Sequence, residues 1–207
     1  MKKFMVVFIL VMSVALETYA GTDKIGITAS MGPKAYGESG DYSSAFDYLW
    51  LGLFLQVSED SFIRPAILFS YSEPKEEVNV GGEIPSEEKK LAFGAKCAFL
   101  FSVIALKNFD FYVGPEVGYV LYKKEENRIG TSKSEDKINV FDVAFKIGGK
   151  YLLSEHFGFF GDIGLGVQFY NRTDKDWNSS GTLTGETESR YMNIKTSNAY
   201  LGAVIYF

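Results

Sequence analysis

In eight stretches of this chain apolar residues recur at every second position, and in nearly every one the face they share is free of ionisable side chains. The clearest is Phe141, Val143, Phe145 and Ile147, alternating with Asp142, Ala144, Lys146 and Gly148. A two-residue period is that of a β-strand. The opposite face holds Arg64, Lys96, Asp110, Glu116, Asp142, Lys146, Lys150 and Asp162, spaced by Gly, Ala and Ser. If such strands lie in a bilayer, Lys or Arg on the lipid side costs about 2–4 kcal/mol at the midplane. The charged faces must then turn inward, where opposite charges can pair.

The strands are expected over residues 24–34, 46–57, 62–72, 91–101, 109–122, 138–153, 157–170 and 193–207. Between them lie long polar segments, 35–45, Glu73–Lys90, Lys123–Lys137 and Asn171–Met192, and short connections, Ser58–Ser61, Ser102–Asn108 and Ser154–His156. Long and short alternate, as in an up-and-down membrane barrel with long loops on one side. An even number of strands closes the sheet and leaves no edge group unpaired in lipid. The expected fold is all-β: a closed eight-stranded antiparallel up-and-down transmembrane β-barrel. Aromatics near strand ends, among them Phe62, Tyr71, Phe101, Phe109, Tyr122, Tyr151, Phe169 and Tyr170, are expected as headgroup-level girdles.

Two motifs carry a resemblance. The chain ends on Asn193–Phe207, with Leu201, Ala203, Ile205 and Phe207 on one face. This resembles the closing strand of bacterial outer-membrane β-barrels, in which the terminal aromatic and its alternating apolar residues act as an assembly signal. Tyr112-Val113-Gly114, followed by Gly118-Tyr119, resembles a phrase of the eight-stranded outer-membrane family of the OmpA, OmpX and opacity-protein type. That family usually has a further Gly where Pro115 and Glu116 stand. The resemblance implies outer-membrane lipid as the surroundings and the barrel-assembly machinery as a partner of the last strand, while the alternation of long and short connections puts both termini on the periplasmic side. No second domain is legible beside the strands, so the family's peptidoglycan-binding module is not expected.

Lys2-Lys3, the apolar run Phe4–Leu16 and Ala20 read as a signal peptide, residues 1–20, leaving a barrel domain over 21–207. No segment of that domain reaches about eighteen apolar residues, so helical spans are not expected. The net charge of −5 has no basic stripe and argues against nucleic acid. Cys97 stands alone and excludes an internal disulfide.

No catalytic, cofactor or metal constellation is legible, and no cofactor is expected. His156 and Ser154 adjoin, but in a short turn assigned to the periplasmic surface, away from outer-leaflet substrates. Three readings stay open: a non-enzymatic, monomeric surface barrel that stabilises the membrane or displays loops to host or other cell-surface molecules; a narrow pore for small or apolar solutes; and a soluble exported barrel holding a ligand. Side chains fill an eight-stranded lumen, so a polar plug is expected, with Lys96 and Glu116 as one candidate pair.

Overall fold

The computed structural model describes residues 25–32, 48–72, 86–128 and 132–207; the leader read from the sequence lies outside them. Eight strands follow in order: β1 (Ile25–Gly32), β2 (Tyr48–Ser58), β3 (Ser61–Ser72), β4 (Ser86–Leu106), β5 (Phe109–Arg128), β6 (Ser132–Leu152), β7 (Phe157–Asn178) and β8 (Leu183–Tyr206). Each pairs antiparallel with the next, and β8 returns to β1 through Gly26↔Tyr206 to Met31↔Leu201. The result is a closed up-and-down barrel.

The two faces are sorted as the alternation demands. Ile163 and Leu165 are 60 % and 62 % exposed, while Lys146 between β5 and β7 is 0 % exposed. A water-soluble barrel would reverse this order. Inside, two apolar layers form. One gathers Trp50, Leu68, Val120, Val140, Tyr170 and Tyr200; the other gathers Phe54, Phe62, Leu100, Tyr112, Phe160 and Tyr206.

Close approach requires glycine at Gly148. A Cβ there would stand 2.5 Å from Asp162 Cβ and 2.7 Å from the Tyr112 ring. The position therefore lets Tyr112 of β5 and Asp162 of β7 close in over β6 at one level.

Four expectations need correction. Most of Lys123–Lys137 and Asn171–Met192, together with the end of Glu73–Lys90, is strand rather than loop: β5 continues to Arg128, β6 starts at Ser132, β7 reaches Asn178 and β8 starts at Leu183. Cross-strand ion pairs replace apolar alternation there. Examples are Lys124–Glu88 at 2.8 Å, Arg172–Asp136 at 3.1 Å and Lys175–Glu186 at 3.0 Å. The β7–β8 hairpin closes on Asn178, whose Oδ1 accepts from the backbone N–H of Ser180 and of Thr182, and Gly181 takes φ +78°.

The segment 102–108 is mostly strand too. β4 runs on to Leu106, and the register slips between Ser102 and Ile104. This bulge turns both Val103 and Ile104 outward, so adjacent apolar residues extend the lipid-facing band. Third, Phe62 and Tyr170 are not girdle residues: both are buried in the lumen layers, and Tyr122 packs against one of them. Position along a strand favours a girdle; parity decides against it. Fourth, Leu55, which the sequence places on the apolar face with Leu49, Leu51 and Leu53, is only 1 % exposed, next to the slip between Gln56 and Ser58.

Candidate functional site

Five of the eight ionisable lumen residues meet in one cluster. Arg64 comes from β3, Lys96 from β4, Glu116 from β5, Lys146 from β6 and Asp162 from β7. Arg64 Nη1 lies 2.7 Å from Asp162 Oδ2, across the barrel. Lys146 Nζ bridges the two carboxylates, at 3.2 Å from Glu116 Oε1 and 3.4 Å from Asp162 Oδ1. Glu116 Oε2 stands 3.9 Å from both Arg64 and Lys96. Within these contacts three cations share two carboxylates.

Sequence alone pairs Lys96 with Glu116, but Glu116 sits closer to Lys146. Lys96 instead places its ammonium over aromatic faces, 3.2 Å from the Tyr200 ring centroid and 4.5 Å from that of Trp50. A cation over such a face is attracted by the ring quadrupole, by about 2 kcal/mol or more once desolvated. In the sequence Tyr200 and Trp50 stand out only as alternating strand residues. Their proximity to Lys96 depends on the curvature of the closed sheet, which no local pattern encodes.

Arg64 also donates to the Tyr112 hydroxyl at 3.4 Å and lies over the Phe160 ring at 4.9 Å. Lys150 and Asp110 form a separate pair, 2.9 Å apart, with Lys150 also over Phe62 at 4.5 Å. Asp142 stands outside the five-residue cluster, between Gly118 of β5 and Gln168 of β7 in the register. The space beside Lys96, Asp142 and Tyr200 is about 20 Å³, room for about one water molecule.

At the carboxyl end, Leu201, Ala203 and Ile205 pair with Met31, Ala29 and Ile27 of β1. Leu201, Ile205 and Phe207 are exposed on the outer face, and Phe207 N–H donates to Ile25 O at 3.1 Å. In the turn before β7, His156 N–H donates to Ser154 Oγ at 3.3 Å. That contact shapes the turn and engages neither the imidazole nor a second nucleophile.

Beyond the apolar band, β4 to β8 rise as walls, charged on both faces from β4 to β7 and on one face in β8. Burial pushes the Asp136 carboxyl up to about 6, with Asp174 adding to the effect and Arg172 opposing it. The Glu125 carboxyl is held below its ordinary range by the hydrogen bond from Lys123. Glu88 is lowered as well: burial opposes the shift, and the hydrogen bonds from Lys124 and Lys90 outweigh it.

No family model matches the chain, and no curated protein matches it in sequence. Among solved structures, a major outer membrane protein from Thermus thermophilus aligns with 90 % of this chain and 100 % of its own, at 14 % identity and a TM-score of 0.56. The outer membrane protein AlkL aligns over 91 % and 92 % at 15 % identity and TM-score 0.44. Ail, the attachment invasion locus protein of Yersinia pestis, aligns over 89 % and 95 % at 12 % identity and TM-score 0.41. The fold is that of the small eight-stranded outer-membrane β-barrel proteins.

Proposed function

We propose that this is a non-enzymatic protein of the bacterial outer membrane that acts through the walls standing above the bilayer, stabilising the membrane or engaging surface molecules, and not by conduction. The observation that carries this is the layering of the lumen. The charged cluster lies between two apolar layers, one around Trp50 and Tyr170 and the other around Phe54 and Tyr112. A solute would have to displace packed aromatics on both sides of a desolvated ion cluster.

Both chain ends belong on the periplasmic side, with the short turns, and the raised walls outside the cell. This follows the ordinary barrel arrangement, in which short turns face the periplasm. The outward row Leu201, Ala203, Ile205 and Phe207 is the surface offered to the assembly machinery. Host or cell-surface molecules would meet the walls, and one barrel suffices as the working unit. Residues 1–20 are the export signal.

Single-channel recording on refolded protein tests the reading against its alternative, a narrow pore. The expected result is silence. Discrete conductance steps that change on replacing Lys96 or Glu116 would replace the surface role by the pore.

A further inference from the structure

On the outer wall, where the apolar band ends, the geometry points to a binding site for an anionic membrane lipid bearing a phosphate headgroup. The inference rests on the membrane placement of the apolar band, not on what the walls above it bind.

The register defines the site. One outward row runs Tyr119, Phe141, Phe169, Met192 across β5 to β8, and the next row up runs Leu121, Asn139, Asn171, Arg190. Above Asn139 on β6 comes Lys137, opposite Lys123 and Thr173. The wall therefore passes within three rows from aromatic, through carboxamide, to cation. That is the order of acyl chain, glycerol or sugar, and phosphate along a lipid.

A shallow, open depression of about 500 Å³ lies here, lined by Phe141, Phe169 and Met192 with Arg190 beside them. The floor is ordered: the Phe141 and Phe169 rings lie 6.2 Å apart. So is the rim, where the Tyr119 hydroxyl donates to Asn139 Oδ1 at 2.7 Å and Asn139 Nδ2 donates to Asn171 O at 3.4 Å.

The cations are available. Among the described residues Lys137 makes no ion pair, whereas Lys123 is engaged by Glu125 and Glu135. Among the described residues Arg190 meets only Glu188, at 3.8 Å, with both side chains well exposed, and such a pair contributes little against a better anion. Strand spacing places Lys137 and Arg190 about 12 Å apart at the backbone, a gap that two long side chains close onto one headgroup. Glu188 is the acidic neighbour that a phosphate displaces. The floor continues the lipid-facing band, which favours an occupant already lying in the bilayer over a water-borne solute or a protein.

Native mass spectrometry of the refolded barrel, with phosphatidylglycerol or phosphatidylcholine of matched chains, tests this. Each cation near a membrane surface is worth about fivefold in affinity. Wild-type protein is therefore expected to retain phosphatidylglycerol well over tenfold more tightly. The double variant K137Q/R190Q should lose that preference, while K133Q, whose lysine already faces Glu125 at 3.7 Å, should keep it. Equal retention of the two lipids by wild-type protein would overturn the proposal without any variant being needed. An undiminished preference in K137Q/R190Q would overturn it too.

Discussion

Arg64 and Asp162 stand four strands apart in a ring of eight and meet at 2.7 Å. This contact ties opposite walls of the barrel together through its centre. With Lys146, Glu116 and Lys96 it makes a cross-brace in which, within these contacts, two anions serve three cations.

The imbalance orders the consequences of mutation. Removing a carboxylate leaves three buried cations facing one anion, and breaking a buried pair in this way costs about 3–5 kcal/mol. Asp162→Asn and Glu116→Gln should each lose about that much in urea unfolding of the refolded barrel. Lys96→Met removes the surplus cation and leaves two against two, so its loss should be under half as large. A Lys96→Met variant less stable than Asp162→Asn would reject the charge-balance account.

Gly148 offers a steric test of the same region. A methyl there meets Asp162 Cβ at 2.5 Å and Gly161 O at 2.6 Å. Overpacking of this sort costs about 1–3 kcal/mol. Gly148→Ala should lower the temperature at which the folded band gives way to the unfolded one in gel migration. Gly185→Ala, whose nearest neighbour would be Asp176 Oδ2 at 3.8 Å, should leave it unchanged.

Much of this is legible in the sequence, and the reason is physical. Phe141 against Asp142, or Ile147 against Lys146, shows an apolar face set against an ionised one, the pattern expected of strands with lipid on one side and a filled lumen on the other, so strand number and parity are readable locally, while closure rests on the pairing of β8 with β1. The walls look like loops in the sequence because Lys123, Glu125, Lys133 and Glu135 carry charge without apolar alternation. Their strand character lies in cross-strand pairs such as Lys123–Glu135 at 3.4 Å, which link residues far apart in the chain. The meeting of Arg64 with Asp162, and of Lys96 with Tyr200, is likewise set by closure across the barrel and has no local signature.

The walls should also respond to pH, in two windows of opposite sign. Asp136 has its folded pKa raised from 3.8 to about 6, so the folded form binds the extra proton between those values. Its contribution to wall stability therefore grows as pH falls from about 6 towards 4. Glu88 and Glu125 are shifted downward from 4.5; their stabilisation is present above 4.5 and is lost as pH falls through their folded pKa values. Hydrogen-exchange protection of β6 and β7 beyond the apolar band, corrected for intrinsic rates, should rise on mild acidification and then fall. Asp136→Asn should abolish the rise and leave the fall.

Orientation is open to direct labelling. In a Cys97→Ala background, Ser180→Cys at the β7–β8 turn should react with a membrane-impermeant maleimide on intact cells. Glu155→Cys, in the turn before β7, should react only after the outer membrane is permeabilised. The reverse pattern would invert the barrel.

The central claim is that the exposed apolar faces look into lipid, and spin labels read it most directly. With nitroxides at positions 163, 165 and 175 of the refolded, membrane-inserted barrel, Ile163 and Leu165 should be reached by oxygen and not by a water-soluble nickel chelate. Lys175, on the charged wall, should show the opposite. Nickel access at 163 and 165, or shielding of both sites from either reagent, would contradict the account.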